Sequence, residues 1–251
     1  MIGPFIGGVL ITTIGFSWNF VIEAGLYAAT VLAFMPMKTP YTQARQAQFK
    51  GSPIANFMEG IRYVRKEERV IWNLVLLGLI PNVLLHPAWF VLPVFTVEVL
   101  NRSADIGGVL LAVTGLGGLV SAVTIASVGF GSRRGLICLG SILLASLSVL
   151  LFAHSQWLIL AAILIGLMSL AQATFRTSSS TLIQSLVPDH LRSRVTSLHM
   201  YSQGFVFMSS LAVGFLVDLT SVVVALTAVG LAGLALGSIS YLILPRVRQA
   251  K

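Results

Sequence analysis

The sequence predicts an all-α protein that crosses a membrane repeatedly. Long apolar stretches recur from one end of its 251 residues to the other. Hydrophobic residues reach 56%, and charged residues fall to 10%, against the roughly 25% usual in soluble domains. The placement of positive charge is the third observation. All but two of the 16 basic residues fall in alternate gaps between the apolar stretches. These are Lys38, Arg45, Lys50, Arg62, Arg65, Lys66 and Arg69, then Arg133 and Arg134, then Arg192 and Arg194, then Arg246, Arg248 and Lys251. The exceptions are Arg102, in an opposite gap, and Arg176, inside a stretch. This is the positive-inside pattern, and it predicts that residues 38–69 and the C-terminus face the cytoplasm.

Seven full spans are expected, at about 18–37, 70–97, 106–128, 135–153, 157–181, 195–217 and 222–244. Each is near or above the roughly 18–20 residues that a helix needs to cross hydrocarbon. An apolar stub at 2–13 precedes them, ending in a turn region at Thr13–Trp18. At 1.5 Å per residue the stub reaches about 18 Å, short of a core about 30 Å thick. The expectation is that the chain's first residues fall inside a helix of a longer ancestral protein. No basic segment precedes these first apolar residues, so no signal peptide is expected.

Residues 38–69 form the one long polar segment. Ser52 is a capping residue and Pro53 suits a first helical position. Ile54, Phe57, Met58, Ile61 and Val64 then recur at helical spacing, with Arg62, Arg65 and Lys66 on the other sides. That pattern fits an amphipathic helix on an anionic leaflet, or a solvated linker helix.

The span at 70–97 carries Pro81, Pro87 and Pro93 at six-residue intervals. Each proline removes a backbone donor and clashes with the carbonyl four residues back, so a broken helix is expected. Asn82 and His86 lie beside the breaks. Such breaks are tolerated where protein or a water-filled cavity satisfies the freed carbonyls, and they mark binding sites in transporters. In 106–128, Gly107, Gly108, Gly115, Gly117 and Gly118 cluster; in 222–244, Gly233 and Gly237 have the spacing that lets helix backbones touch. Thr114 and Ser121 read as hydroxyls bonded to their own helix backbone.

Composition and motifs exclude several classes. The net charge of +8 is spread over separate gaps, so it does not describe a nucleic-acid surface. The single cysteine, Cys138, lies within a span and has no partner for a disulfide or thiolate metal site. No Walker loop, metal-ligand spacing, cofactor fingerprint or hydrolase motif is present, so no catalytic residue, metal or cofactor is assigned. The readings that remain are a secondary transporter, a truncated membrane fragment that transports nothing or a half-transporter that needs a partner chain, and, least supported, an intramembrane enzyme.

Several segments resemble a known family. Gly3-Pro4-Phe5-Ile6-Gly7-Gly8, followed by Gly15, resembles the Gly-Pro-x-x-Gly-Gly motif in the fifth helix of major facilitator superfamily antiporters. Glu59-Gly60-Ile61-Arg62-Tyr63-Val64 is similar to the end of that superfamily's central loop. Leu186-Val187-Pro188-Asp189-His190-Leu191-Arg192-Ser193-Arg194-Val195 resembles the loop between its tenth and eleventh helices. This last motif is similar to the drug:proton antiporter branch, which includes macrolide-efflux and enterobactin-exporter proteins. The resemblance implies the C-terminal six-helix half of a major facilitator fold, plus helix six and part of helix five. It divides the chain into 1–37, the end of the N-terminal half; 38–69, the central loop; 70–246, the six-helix half; and 247–251, the tail. It also implies a multi-pass protein of the bacterial inner membrane. The loop Gly129-Phe130-Gly131-Ser132-Arg133-Arg134-Gly135 matches the family's gating loop in its glycines and arginines but lacks the usual aspartate.

The resemblance implies a small-molecule substrate, proton-coupled efflux and alternating access. It also implies that a missing N-terminal half, or a homodimer, completes the cavity. Asn82, His86 and Trp89 on helix seven, Gln172 and Arg176 on helix ten, and Tyr201 and Gln203 on helix eleven are the candidate pathway residues. His86 is a candidate substrate or proton ligand. Arg176 is a candidate contact for an anionic substrate, or a snorkelling residue. Glu23, a carboxylate within a span, is a candidate proton carrier or a structural hydrogen-bonding group. Gly131, Arg133, Arg134, Pro188, Asp189, Arg192 and Arg194 are gating candidates, the arginines serving equally as topology determinants. Trp18 and Trp157 read as interface anchors.

Overall fold

Hydrocarbon offers no partner to a backbone N–H or C=O, so a spanning chain must satisfy these groups internally. This chain does so with helices. The computed structural model describes residues 3–37, 58, 61–62, 65, 69–129, 133–187 and 189–248, and among these there is no strand. Helix α1 is Gly3–Phe34, and α2 is Arg69–Leu79. A π-helical turn at Ile80–Leu85 and a 3₁₀ turn at His86–Trp89 lead from α2 into α3, Leu92–Glu98. Then come α4 (Asp105–Val128), α5 (Arg134–Ala153), α6 (Leu158–Leu186), α7 (Asp189–Leu219), α8 (Val222–Ile243) and the short α9 (Pro245–Arg248). Six of the described helical stretches are long and apolar enough to span a bilayer, and the apolar stretch Gly204–Leu219 of α7 adds a shorter one.

Two buried clusters define the two ends of the bundle. One joins Ile71 and Leu74 at the start of α2, Cys138 and Ile142 at the start of α5, Ile183 at the end of α6, Val195 near the start of α7, and Val247 in the tail. The other joins Leu92, Phe95, Leu100, Phe152, Ala161, Val213 and Val222. Taking α2 and α3 as one broken span, consecutive spans from α2 to α8 therefore alternate in direction. The first cluster sits beside Arg69, Arg133, Arg134 and Arg248, while Arg102 adjoins Leu100 at the other end. Three-dimensional packing thus gathers the basic gaps at one end of the bundle. At the far end the Phe95 and Phe152 rings stack with centroids 4.1 Å apart.

Helix α6 packs between α4 and α5, and α5 also packs against α8. Small residues set these contacts. A Cβ added to Gly117 would collide with the Gly166 carbonyl of α6, and one added to Gly230 would lie 2.9 Å from the backbone nitrogen of Leu150 on α5. Gly233 and Gly237 continue that stripe against Ser146 and Leu143. The glycine spacing expected to bring backbones together does so at α8. Polar bonds tie the same helices: Ser169 Oγ donates to the Thr114 carbonyl at 2.6 Å, and Ser121 and Thr174 share a hydrogen bond of 2.8 Å.

Four expectations are modified. First, the turn region at Thr13–Trp18 is a helix interrupted at one residue, Gly15, whose φ of 81° and ψ of 169° belong to a region almost closed to other residues. Second, the inter-helix loop at 186–195 is mostly helix, and α7 begins at Asp189. Val187 is extended, as the residue before a proline prefers, and that single extended residue ends α6. The polar Asp189, Arg192 and Arg194 are therefore the opening turns of α7 rather than loop residues. Third, α6 runs to Leu186, beyond the expected end at 181. Fourth, Ser121 bonds across to α6, whereas Thr114 bonds back to Leu111 of its own helix as expected. The amphipathic stretch at 52–66 lies mostly outside the described residues. Of those described there, Met58, Ile61, Arg62 and Arg65 are helical, and Ile61 packs against the cluster at the basic end.

Gly117→Ala should force α4 and α6 apart, at a cost of about 1–3 kcal/mol for overpacking a close contact. Gly108, whose Cβ would meet nothing within 4 Å, provides the control. Melting of the purified protein in detergent should fall for Gly117→Ala and stay unchanged or rise slightly for Gly108→Ala.

Candidate functional site

The break in the 69–98 stretch creates the site. With no N–H on Pro81, the helix cannot keep its regular ladder, and it widens into a π turn in which the His86 amide bonds to the Pro81 carbonyl. Pro87 then begins a tighter turn, closed by the Phe90 amide on the Pro87 carbonyl at 3.0 Å. The ladder resumes at α3 with the Phe95 amide on the Val91 carbonyl at 2.9 Å. These register changes turn Asn82, His86 and Trp89 toward one cavity of about 420 Å³. That volume lies within the range of small-molecule pockets, roughly 300–1,000 Å³.

Helix α6 supplies the facing wall with Gln172 and Arg176, one turn apart. Gln172 is the midpoint of α6, so the cavity lies at mid-depth. Arg176 is ten residues short of the helix end, about 15 Å along the axis, and it lines the cavity mouth as an exposed residue. Both side chains act on the His86 imidazole. The imidazole also lies against Trp89, with ring centroids 4.4 Å apart. Helix α4 adds Thr114, and α7 adds Val206 and Phe207.

The hydrogen-bonding state of the walls is uneven. Thr114 and Ser169 have spent their hydroxyl protons on carbonyls. Trp89 Nε1 and Gln172 Nε2 are buried donors with no hydrogen-bond partner among the described residues. Among the described residues the lining contains Arg176 and His86 but no carboxylate.

The structure thus brings together Asn82, His86, Trp89, Gln172 and Arg176, drawn from two sequence-distant spans. Glu23 does not join them: it lies on the exposed part of α1, outside the cavity lining. Tyr201 and Gln203 belong to α7, but their side chains lie outside the described residues. The same holds for the side chains of Asp189, Arg192 and Arg194, and Gly131 and Pro188 fall outside entirely. Gly3, Pro4, Gly7 and Gly8 form the first turns of α1. Arg133 is exposed and Arg134 half-buried where α5 starts. Trp18 and Trp157 are exposed. Sequence reasoning missed Ser169. Its available signal was the run of small residues Gly166, Ser169 and Ala173 on α6, which allows α4 to approach.

A broken helix beside a mid-depth cavity is a feature that secondary transporters share. Residues 1–211 match the family model of the Major Facilitator Superfamily, and the chain belongs to that family. It is 26% identical over 202 residues to "Enterobactin exporter EntS" from Escherichia coli O1:K1 / APEC, and equally so to the exporter of the same name from Shigella boydii serotype 18 (strain CDC 3083-94 / BS512). Each match covers 79% of this chain and 46% of the relative, so the chain spans about half the length of these curated relatives. Among solved structures it is similar to a crystal structure of a POT family transporter in complex with thioalcohol conjugated peptide. That likeness has a TM-score of 0.55 and 12% identity, and covers 94% of this chain and 55% of the other. It concerns the fold alone.

The cavity makes a checkable demand on reactivity. Cys138 is fully buried, whereas Arg176 borders the cavity mouth. A membrane-impermeant maleimide should leave Cys138 nearly unmodified, and a cysteine at Arg176→Cys should label faster by roughly an order of magnitude or more. Mass spectrometry of the labelled protein reads both.

Proposed function

We propose that this chain forms the C-terminal half of a secondary transporter that exports a small amphipathic molecule across the bacterial inner membrane. The observation that carries the reading is the broken helix: its prolines turn Asn82, His86 and Trp89 into a mid-depth cavity opposite Gln172 and Arg176. Family membership and the exporter relatives support transport as its task. In this reading a six-helix body rocks against a second body about the cavity, giving alternating access, and a proton gradient drives the cycle. His86 and Glu23 are the proposed proton carriers. The basic end of the bundle faces the cytoplasm. The second body is an N-terminal half, or a second copy related by the pseudo-symmetry common in these folds.

Everted membrane vesicles test this. The chain is produced alone and together with an N-terminal half from one of its relatives, and uptake of a fluorescent amphipathic dye is followed while a proton gradient is imposed and then collapsed. Uptake that needs the gradient, and that Gln172→Ala lowers by about two- to tenfold, is the expected result, the size expected for one hydrogen bond worth about 0.5–1.5 kcal/mol. Gradient-independent dye levels in both preparations would remove the transport reading.

A further inference from the structure

Resting on that reading, we infer that the cavity selects an aromatic anion, a carboxylate or a phenolate, over neutral and cationic molecules of the same shape. The inference comes from what the walls have left to offer. Two buried hydrogen-bonding atoms of the lining have no partner among the described residues, and both are donors: Trp89 Nε1 and Gln172 Nε2. The hydroxyls of Thr114 and Ser169 are already committed to carbonyls. An occupant that brings acceptors satisfies these two donors, each of which costs about 1–3 kcal/mol when buried without a partner.

Charge points the same way. Arg176 brings a guanidinium to the lining, and among the described residues no carboxylate lines the cavity with it. A planar guanidinium is best matched by a carboxylate held through two parallel hydrogen bonds. His86 adds no negative charge in either protonation state. A cation would meet Arg176 with no compensating acid. The remainder of the lining is aromatic and apolar. The rings of Trp89, Phe90, Phe175 and Phe207 border the same space, and Phe90 and Phe207 expose 54% and 72% of their surface. A flat ring carrying an acidic group satisfies both halves of this lining: its plane on the aromatic faces, its oxygens on Arg176, Gln172 and Trp89.

Three probes of one shape separate charge from hydrophobicity: naphthalene-2-carboxylate, 2-naphthamide and 2-naphthylmethylammonium. Equilibrium dialysis of the purified full chain in lipid nanodiscs gives their affinities. The carboxylate should bind saturably and at least about tenfold more tightly than the other two. Arg176→Gln should abolish that preference by weakening carboxylate binding far more than amide binding, and Arg176→Lys should restore part of it. If Arg176→Gln fails to fold, the ranking of the three probes on the unaltered chain decides. Saturable binding of amide or ammonium as tight as that of the carboxylate would overturn the anion preference, leaving the cavity a ligand site. Saturable binding by none of the three would remove both the preference and the transport reading.

Discussion

A carbonyl freed by proline inside hydrocarbon must find another donor, and the geometry of this chain follows from how that is done in one helix. Between residues 80 and 91 the chain has three ways of pairing its backbone: five residues apart, three apart, then four apart again. Each change of spacing rotates the side chains beyond it. The cavity is the space that those rotations open, lined by the residues that they expose.

The regular helices are held close by small residues. Gly117 and Gly166 bring α4 against α6, and the stripe Gly230, Gly233 and Gly237 brings α8 against α5. Lipid is as apolar as leucine, so close packing and a few interhelical hydrogen bonds must supply the attraction that water supplies elsewhere. The bonds from Ser169 to Thr114 and from Ser121 to Thr174 lie on the α4–α6 contact, next to the cavity wall. Packing and site geometry are thus set by the same pair of helices.

The spans were legible because apolar length is a one-dimensional signal: six of the described helical stretches are long and apolar enough to cross a membrane, and Gly204–Leu219 is a shorter one. The prolines were legible for the same reason: their effect on the backbone is local. The grouping of Asn82 and His86 with Gln172 and Arg176 came through the family resemblance, and the structure brings those side chains together from spans far apart in the sequence. What was misread depended on relations that one sequence does not encode. Ser121 has two carbonyl-or-hydroxyl choices of similar merit, and only the approach of Thr174 decides between them. Residues 189–194 read as a loop because they are polar, yet a helix has no obligation to stop where hydrocarbon stops. Ser169 was silent because a serine in an apolar run announces nothing until its neighbour's register is known.

The π turn at Ile80–Leu85 has a geometric consequence for motion. It accommodates one more residue than an α-helical turn would. Were that residue expelled into the neighbouring segment, everything beyond would turn by about 100° about the helix axis, the angle of one residue in an α-helix. His86 and Trp89 would leave the cavity face together, while α2 and its contacts at the basic end stayed where they are. The facing of these side chains thus depends on the register of a single residue in this turn.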